Sequence, residues 1–290
     1  MSTYAIEGSN GLTIDFNDTD YSVLKDELSG FAGYPVEYDT TAPPGHVGEV
    51  VNTATILPRE IHLHVVIYGD GRAELERKRK LLVEALNPLN GASKLIWTQE
   101  DGTSTYLEVM PSDGYPAFDT GTYHNERAWE CDIELIAHDP AWQSSEETEV
   151  PIIGIRGLFE LPFTMDFQIG EVSPYKTIRN EGNVVCPVVI EATGALYEPI
   201  VLQNVTTNQT ITIRRDILEG ESIVIDTSDE NLSVIHTDVH GTRTNALHYC
   251  SVGSEFWSLE PGDNVIYYHS ELEGGATYGT ITFRPRWLSK

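Results

Sequence analysis

"REIHLHVVIYG" (Arg59–Gly69) runs directly into "DGRAELERKRKLLVEALNPLNG" (Asp70–Gly91), and the two periodicities differ. In the first, Ile61, Leu63, Val65 and Ile67 share one face, while His62 and His64 share the other. Successive strand side chains point to opposite faces, so this is a half-buried strand. In the second, Leu75, Leu82, Ala85 and Leu86 form a stripe at helical spacing. Asp70 or Gly71 is placed to cap the start, and Asn87, Pro88 and Gly91 stop the helix. A helix over about 72–87 is predicted, the one convincing helix in the chain. Its middle carries Arg77, Lys78, Arg79 and Lys80. That row is either a solvated face or a contact with an acidic neighbouring subunit.

"WECDIELIAHDPAW" (Trp129–Trp142) alternates again. Trp129, Cys131, Ile133, Leu135 and Ala137 are apolar, and only Ile136 breaks the pattern. Pro140 lacks an N–H and biases Asp139 to an extended conformation, so pairing stops there. His138–Asp139 is therefore a strand end rather than half of a catalytic site. No nucleophile signature elsewhere completes a triad, and such a dyad is recognised by geometry, not adjacency. "QSSEETEVP" follows, polar and acidic, with the composition of a linker.

"GLTIDF" (Gly11–Phe16), "SKLIWTQ" and "STYLEVMP" read as further strands of the first half. Residues 33–55 hold Pro35, Pro43, Pro44 and three glycines, which predicts a long loop or arm. After the linker come short β-branched or aromatic runs: "CPVVIEATG", "EPIVLQNVTTNQTITIRR", "ESIVIDTS", "LSVIHTDV", "VIYYHS" and "GTITFRPRW". Turns separate them at even spacing, which implies an antiparallel sandwich. The predicted fold class is mainly β. An α+β N-terminal domain with one main helix spans 1–143, a linker spans 144–152, and a β-sandwich spans 153–290.

The 290 residues carry 45 Asp/Glu against 18 Lys/Arg, a formal net charge of −27. Residues 1–149 hold 27 of those acids and nine of those bases. Phosphate backbones repel such a chain, so sequence-specific nucleic-acid binding is not expected. Only six of the basic residues are lysine. Acid excess with little lysine suits high salt, where screening shortens repulsion to ~3 Å at 1 M. No apolar run approaches the ~18 residues of a membrane span, and no secretory signal is visible at the start, which implies synthesis in a cytoplasm. Cys131, Cys186 and Cys250 are too few and scattered for a disulfide framework or zinc site, and buried free thiols are expected.

His62-x-His64 could supply half of a metal site, and "HTDVH" (His236–His240) could put His236, Asp238 and His240 on one strand side. A bound metal needs three or four converging ligands, which neither stretch provides. No metal, no cofactor and no catalytic residues are predicted. Trp257, Tyr267 and Tyr268 are the candidates for stacking on sugar rings, with core packing the plainer role for Trp257.

Taken in order, the pieces resemble a known family. Alternating strand, basic amphipathic helix, "LNPLNGASKLIW", acidic alternating strand and "AHDPAW" stop resemble the N-terminal domain of distal tail proteins of long-tailed (siphovirus-like) viruses. "IRNEGNVVCPVVIEATG", "EPIVLQNVTTNQTITI", "ESIVIDTSDENLSV" and "FWSLEPGDNVIYY" resemble that family's C-terminal galectin-like domain. The resemblance implies a structural virion protein and not an enzyme. It implies a homohexameric ring at the tail tip that joins the tail tube protein to the hub or baseplate and leaves a channel for DNA. The outer domain would meet receptor-binding proteins or host glycans. In that ring the helix row Arg77, Lys78, Arg79 and Lys80 is expected at a subunit interface or on the ring's exterior. The rival expectation is a carbohydrate-binding or carbohydrate-degrading protein that uses the sandwich alone.

Overall fold

The computed structural model describes residues 3–16, 19–24, 28–45, 47–118, 125–155, 174–270 and 276–289. The chain divides into two compact units, residues 1–145 with 287–290, and residues 146–286. Both are built from antiparallel sheets, and the described residues contain a single α-helix.

The first unit contains β1 (Thr3–Glu7), β2 (Thr13–Phe16), β3 (Tyr21–Val23), β4 (Val36–Thr41), β5 (Val50–Ile56), β6 (Arg59–Tyr68), α1 (Arg72–Ala85), β7 (Ser93–Thr98), β8 (Ser104–Pro111), β9 (Ala128–Ala137) and β10 (Trp142–Ser144). Its main sheet runs β2-β1-β7-β8-β9-β6-β3, with β10 beside β8. The ladder between β6 and β9 is continuous from Arg59↔Ala137 to Tyr68↔Ala128. Ile61, Leu63, Val65 and Ile67 are wholly buried opposite Leu135, Ile133, Cys131 and Trp129. Each such aliphatic side chain contributes about 1.5–3 kcal/mol by leaving water. Helix α1 lays Leu75, Leu82, Ala85 and, just beyond its end, Leu86 into the same core. Gly71 is its N-cap and supplies no side chain. Instead the Asp70 N–H donates to the Glu74 carboxylate at 2.8 Å, satisfying a donor at the helix start.

The "AHDPAW" stop also has a packing role. Asp139 Oδ1 accepts the Ala141 N–H at 3.2 Å, turning the chain so that Trp142 enters the core. Phe31 and Trp97 stand 5.8 and 5.4 Å from the Trp142 ring, and Tyr4 completes the cluster against Phe31 at 5.1 Å.

The second unit contains β11 (Thr148–Ile155), β12 (Tyr175–Asn180), β13 (Val188–Thr193), β14 (Ile200–Asn204), β15 (Gln209–Ile213), β16 (Ser222–Asp226), β17 (Ser233–Thr237), β18 (Arg243–Asn245), β19 (Gly262–His269) and β20 (Ala276–Phe283). A six-stranded sheet, β11-β20-β13-β16-β17-β18, faces a four-stranded one, β12-β19-β14-β15, across one core. This is the predicted sandwich. The stretch predicted as linker differs: Thr148–Ile155 pairs with β20 along its whole length. It is an edge strand, where Pro151 withholds no ladder bond from a second neighbour.

Candidate functional site

Four surfaces bear on function. The first is the predicted arm. Apart from position 46, which is not described, it carries a two-stranded ribbon of β4 and β5 that pairs with no other strand among the described residues. The register sets Val36 against Ile56, Tyr38 against Ala54, and Thr40 against Val51. Residues directly opposite share a face, so one side is Val36, Tyr38, Thr40, Val51, Ala54 and Ile56, and the other is Glu37, Asp39, Thr41, Val50, Thr53 and Thr55. The bulge after Asp39 is held by the Asn52 side chain, which donates to Thr41 Oγ1 at 2.8 Å. On the first side Tyr38 is 60% exposed and Val51 55%, and Ile56 is also exposed. The ribbon is amphipathic, yet its apolar side is uncovered. A lone two-stranded hairpin is marginal in water and needs a third layer for independent stability.

The second surface is the basic row of α1, whose four members separate. Lys78 is 5% exposed, and its ammonium lies 2.5 Å from Asp20 and 3.2 Å from Glu74 and donates to the Tyr68 carbonyl at 2.6 Å. Burial pulls its pKa down, but the hydrogen bonds to Asp20 and Glu74 outweigh that and the net shift is upward. Lys78 is thus spent inside the unit and is withdrawn from any surface contact. Arg77 and Lys80 are exposed, and Arg79 is half-exposed, bonded to Glu76 at 3.2 Å and lying over the Phe118 ring at 5.3 Å. Arg79 and Lys80 line one side of a groove of about 690 Å³ that Val83, Leu86, Pro88, Pro111, Tyr115 and Pro116 help to wall.

The third surface is the polar side of β6 and β9. His64 Nδ1 meets Asp132 at 2.6 Å, with His62 Nε2 3.9 Å from the same carboxylate and Glu130 4.0 Å from His64 Nε2. One carboxylate between two imidazoles accounts for the histidine pair, and no metal-binding group occurs among the described residues. The other stretch does not align as expected. Strand β17 ends at Thr237, and Asp238 accepts the His240 and Thr242 N–H groups in a turn, both at 2.8 Å. Those bonds, the Thr242 one foremost, hold its carboxyl below the usual range. His236 points inward instead, 3.1 Å from Glu221. The three cysteines are free thiols, and burial pushes Cys131 up to about 12 and Cys186 to about 11.

The fourth is the outer side of the four-stranded sheet. Trp257 and Tyr268 are each 1% exposed, and Trp257 Nε1 donates to the Leu202 carbonyl at 3.2 Å. Both are core residues, so neither can stack on a sugar. Tyr267, adjacent in sequence, points the other way. It lies beside Tyr175, which the sequence reading missed, at 5.0 Å, and beside His269 at 6.0 Å. Tyr175 is paired with Tyr267 only through the β12–β19 register, a contact no local motif announces.

Comparison with known proteins shows what the chain is similar to. Residues 181–287, within the sandwich apart from the last, match the family model of the siphovirus-type tail component, C-terminal domain. The whole chain has the fold of Dit proteins. The Dit protein (gp 19.1) of SPP1, described as a paradigm of hub adsorption apparatus in Gram-positive infecting phages, matches with TM-score 0.64 at 14% identity over 99% of both chains. A chain of the phage P2 baseplate in its activated conformation matches in the calcium form (TM-score 0.58, 12% identity) and the strontium form (0.59, 13%). Each covers 97% of this chain and 98% of the other. No curated protein sequence matches. The resemblance to distal tail proteins therefore holds, by domain model in the sandwich and by fold along the whole chain.

Proposed function

We propose that this chain is a structural component of a virion tail tip, an adaptor that closes with copies of itself into a ring, hexameric as in the family's expected architecture. The ring joins the tail tube to the hub or baseplate and leaves a passage for DNA. No bond is made or broken in it. The observation that carries the reading is the β4–β5 ribbon. Its apolar side is largely exposed among the described residues of its own unit, and a second copy is the partner that a ring supplies at every position. The charge supports it. Residues 1–149 hold 27 acids against nine bases, and a DNA passage works best when its wall releases no counterions. Of the helix row, Arg77, Arg79 and Lys80 reach the surface and are proposed to face the acidic surface of a neighbouring subunit.

The rival carbohydrate reading loses two of its three candidate rings to the core. Outer-domain contacts with receptor-binding proteins remain part of the adaptor proposal. Mass photometry of the purified chain, alone and mixed with its tail tube protein, tests it. Rings of six protomers, or rings formed on addition of the tube, support the reading. A lone protomer under both conditions rejects it.

A further inference from the structure

Arg59 is 1% exposed, and none of its hydrogen-bond acceptors is a carboxylate. Its Nε donates to the Pro140 carbonyl at 3.0 Å, one terminal nitrogen donates to the carbonyls of Gly30 (2.7 Å), Phe31 (3.2 Å) and Gly33, and the other donates to that of Leu288. Planar guanidinium with five fixed donors suits such a cluster where a lysine would not. These part-buried carbonyls lie outside the ladders, and one side chain donates to all five of them, with a terminal nitrogen shared among three.

The position of the cluster matters more than its strength. Residues 30–33 lead into β4, and Arg59 follows β5 after Leu57 and Pro58, so both legs of the arm root here. The Leu57 N–H donates to the Pro35 carbonyl at 3.0 Å, closing the root. Gly30 has φ +87, and a Cβ there would lie 2.0 Å from the Glu60 carbonyl oxygen, so the first leg crosses β6 in backbone contact. The remaining piece comes from far along the chain. Leu288 lies 229 positions after Arg59, beyond the entire second unit, and Ser289 Oγ donates to the Ala32 carbonyl at 2.6 Å.

We infer that residues 287–289 act as a latch on the arm: the segment arriving after the sandwich completes the Arg59 cluster and fixes the direction in which the ribbon leaves its unit. The arm is then set only in chains that carry the first unit, the sandwich and the returning segment in one polypeptide. A nascent or truncated chain holds a slack arm and does not nucleate rings. The consequence for rings rests on the adaptor reading, and the latch itself does not.

Amide hydrogen exchange on the otherwise complete chain lacking residues 288–290, and on Ser289→Ala, tests the latch. The expected result is exchange at the Ser29 and Leu57 N–H groups roughly tenfold faster in the truncated chain and less so in Ser289→Ala. Exchange within β6 and β9 and the melting temperature should hold, and ring yield should fall. If truncation lowers the melting temperature, Ser289→Ala alone decides. Unchanged exchange at Ser29 and Leu57 overturns the latch whether or not rings form. Failure of the intact chain to form rings, with exchange accelerated as expected, overturns the adaptor reading and leaves the latch standing.

Discussion

Two antiparallel ladders of the first unit differ in one respect. In the β6–β9 ladder, β9 alternates buried and half-buried residues along its whole length, β6 buries every second residue from Arg59 to Ile67 and Val66 as well, and the apolar side packs into one core with α1. The β4–β5 ladder has similar chemistry, β-branched and aromatic residues on one face and acids and threonines on the other, but every residue except the half-buried Val36 is exposed. In the first ladder, apolar residues stabilise the protomer. In the second they contribute little to it, so the free energy of covering them is available to association.

That contrast makes separable predictions. Leu63→Ala, in the sealed ladder, should cost about 2–5 kcal/mol of protomer stability by denaturant unfolding, since it opens a cavity in a close-packed core. Tyr38→Ser with Val51→Ser, in the bare ladder, should leave protomer stability within about 0.5 kcal/mol and abolish rings in mass photometry. A large loss of protomer stability would mean the ribbon packs on its own chain.

Lys78 and its neighbours on α1 sharpen the contrast at the next level. Lys78→Met should cost about 1–3 kcal/mol, because Asp20, Glu74 and the Tyr68 carbonyl lose their shared donor. The Lys78 pKa is raised in the folded state, so its contribution is complete below the unfolded value of 10.5 and is lost as pH rises through the folded one. The alkaline limb of the stability curve should flatten in the variant. Glu74 works in the opposite sense. The Asp70 N–H and Lys78 depress its pKa, so its contribution is present above 4.5 and lost as pH falls through the folded value. Glu74→Gln should flatten the acid limb. The smallest effect is expected from Arg77→Glu with Arg79→Glu, which should weaken ring association about fivefold, by ~1 kcal/mol, with little change in the protomer. Unchanged hexamers by light scattering would remove the helix row from the interface.

How far the sequence disclosed all this follows from where each signal resides. Strands with one wet and one dry side were legible, because alternation in "IHLHVVI" and "WECDIELIA" is itself the burial pattern. Helix α1 was legible from its stripe. The edge strand β11 was not. Thr148–Ile155 has only one neighbour, so acids and a proline are tolerated there and mimic a linker. The arm was visible as an excursion through its prolines and glycines, but its pairing across the bulge after Asp39 was not.

Among site residues, Lys78 and Arg77 look alike in sequence, and only the position of Asp20 separates them. Tyr267 and Tyr268 are neighbours that face opposite ways, and parity alone does not say which is inside. The Arg59 cluster had no local signal, since its acceptors are carbonyls, which every residue carries.

Mass photometry of the intact chain beside Tyr38→Ser with Val51→Ser, each with and without the tail tube protein, tests the central claim most directly. Intact chain is expected at six times the 32.3 kDa protomer mass, and the variant at 32.3 kDa. Intact chain that stays at 32.3 kDa beside the tube protein, or a variant that still closes into rings, would contradict it.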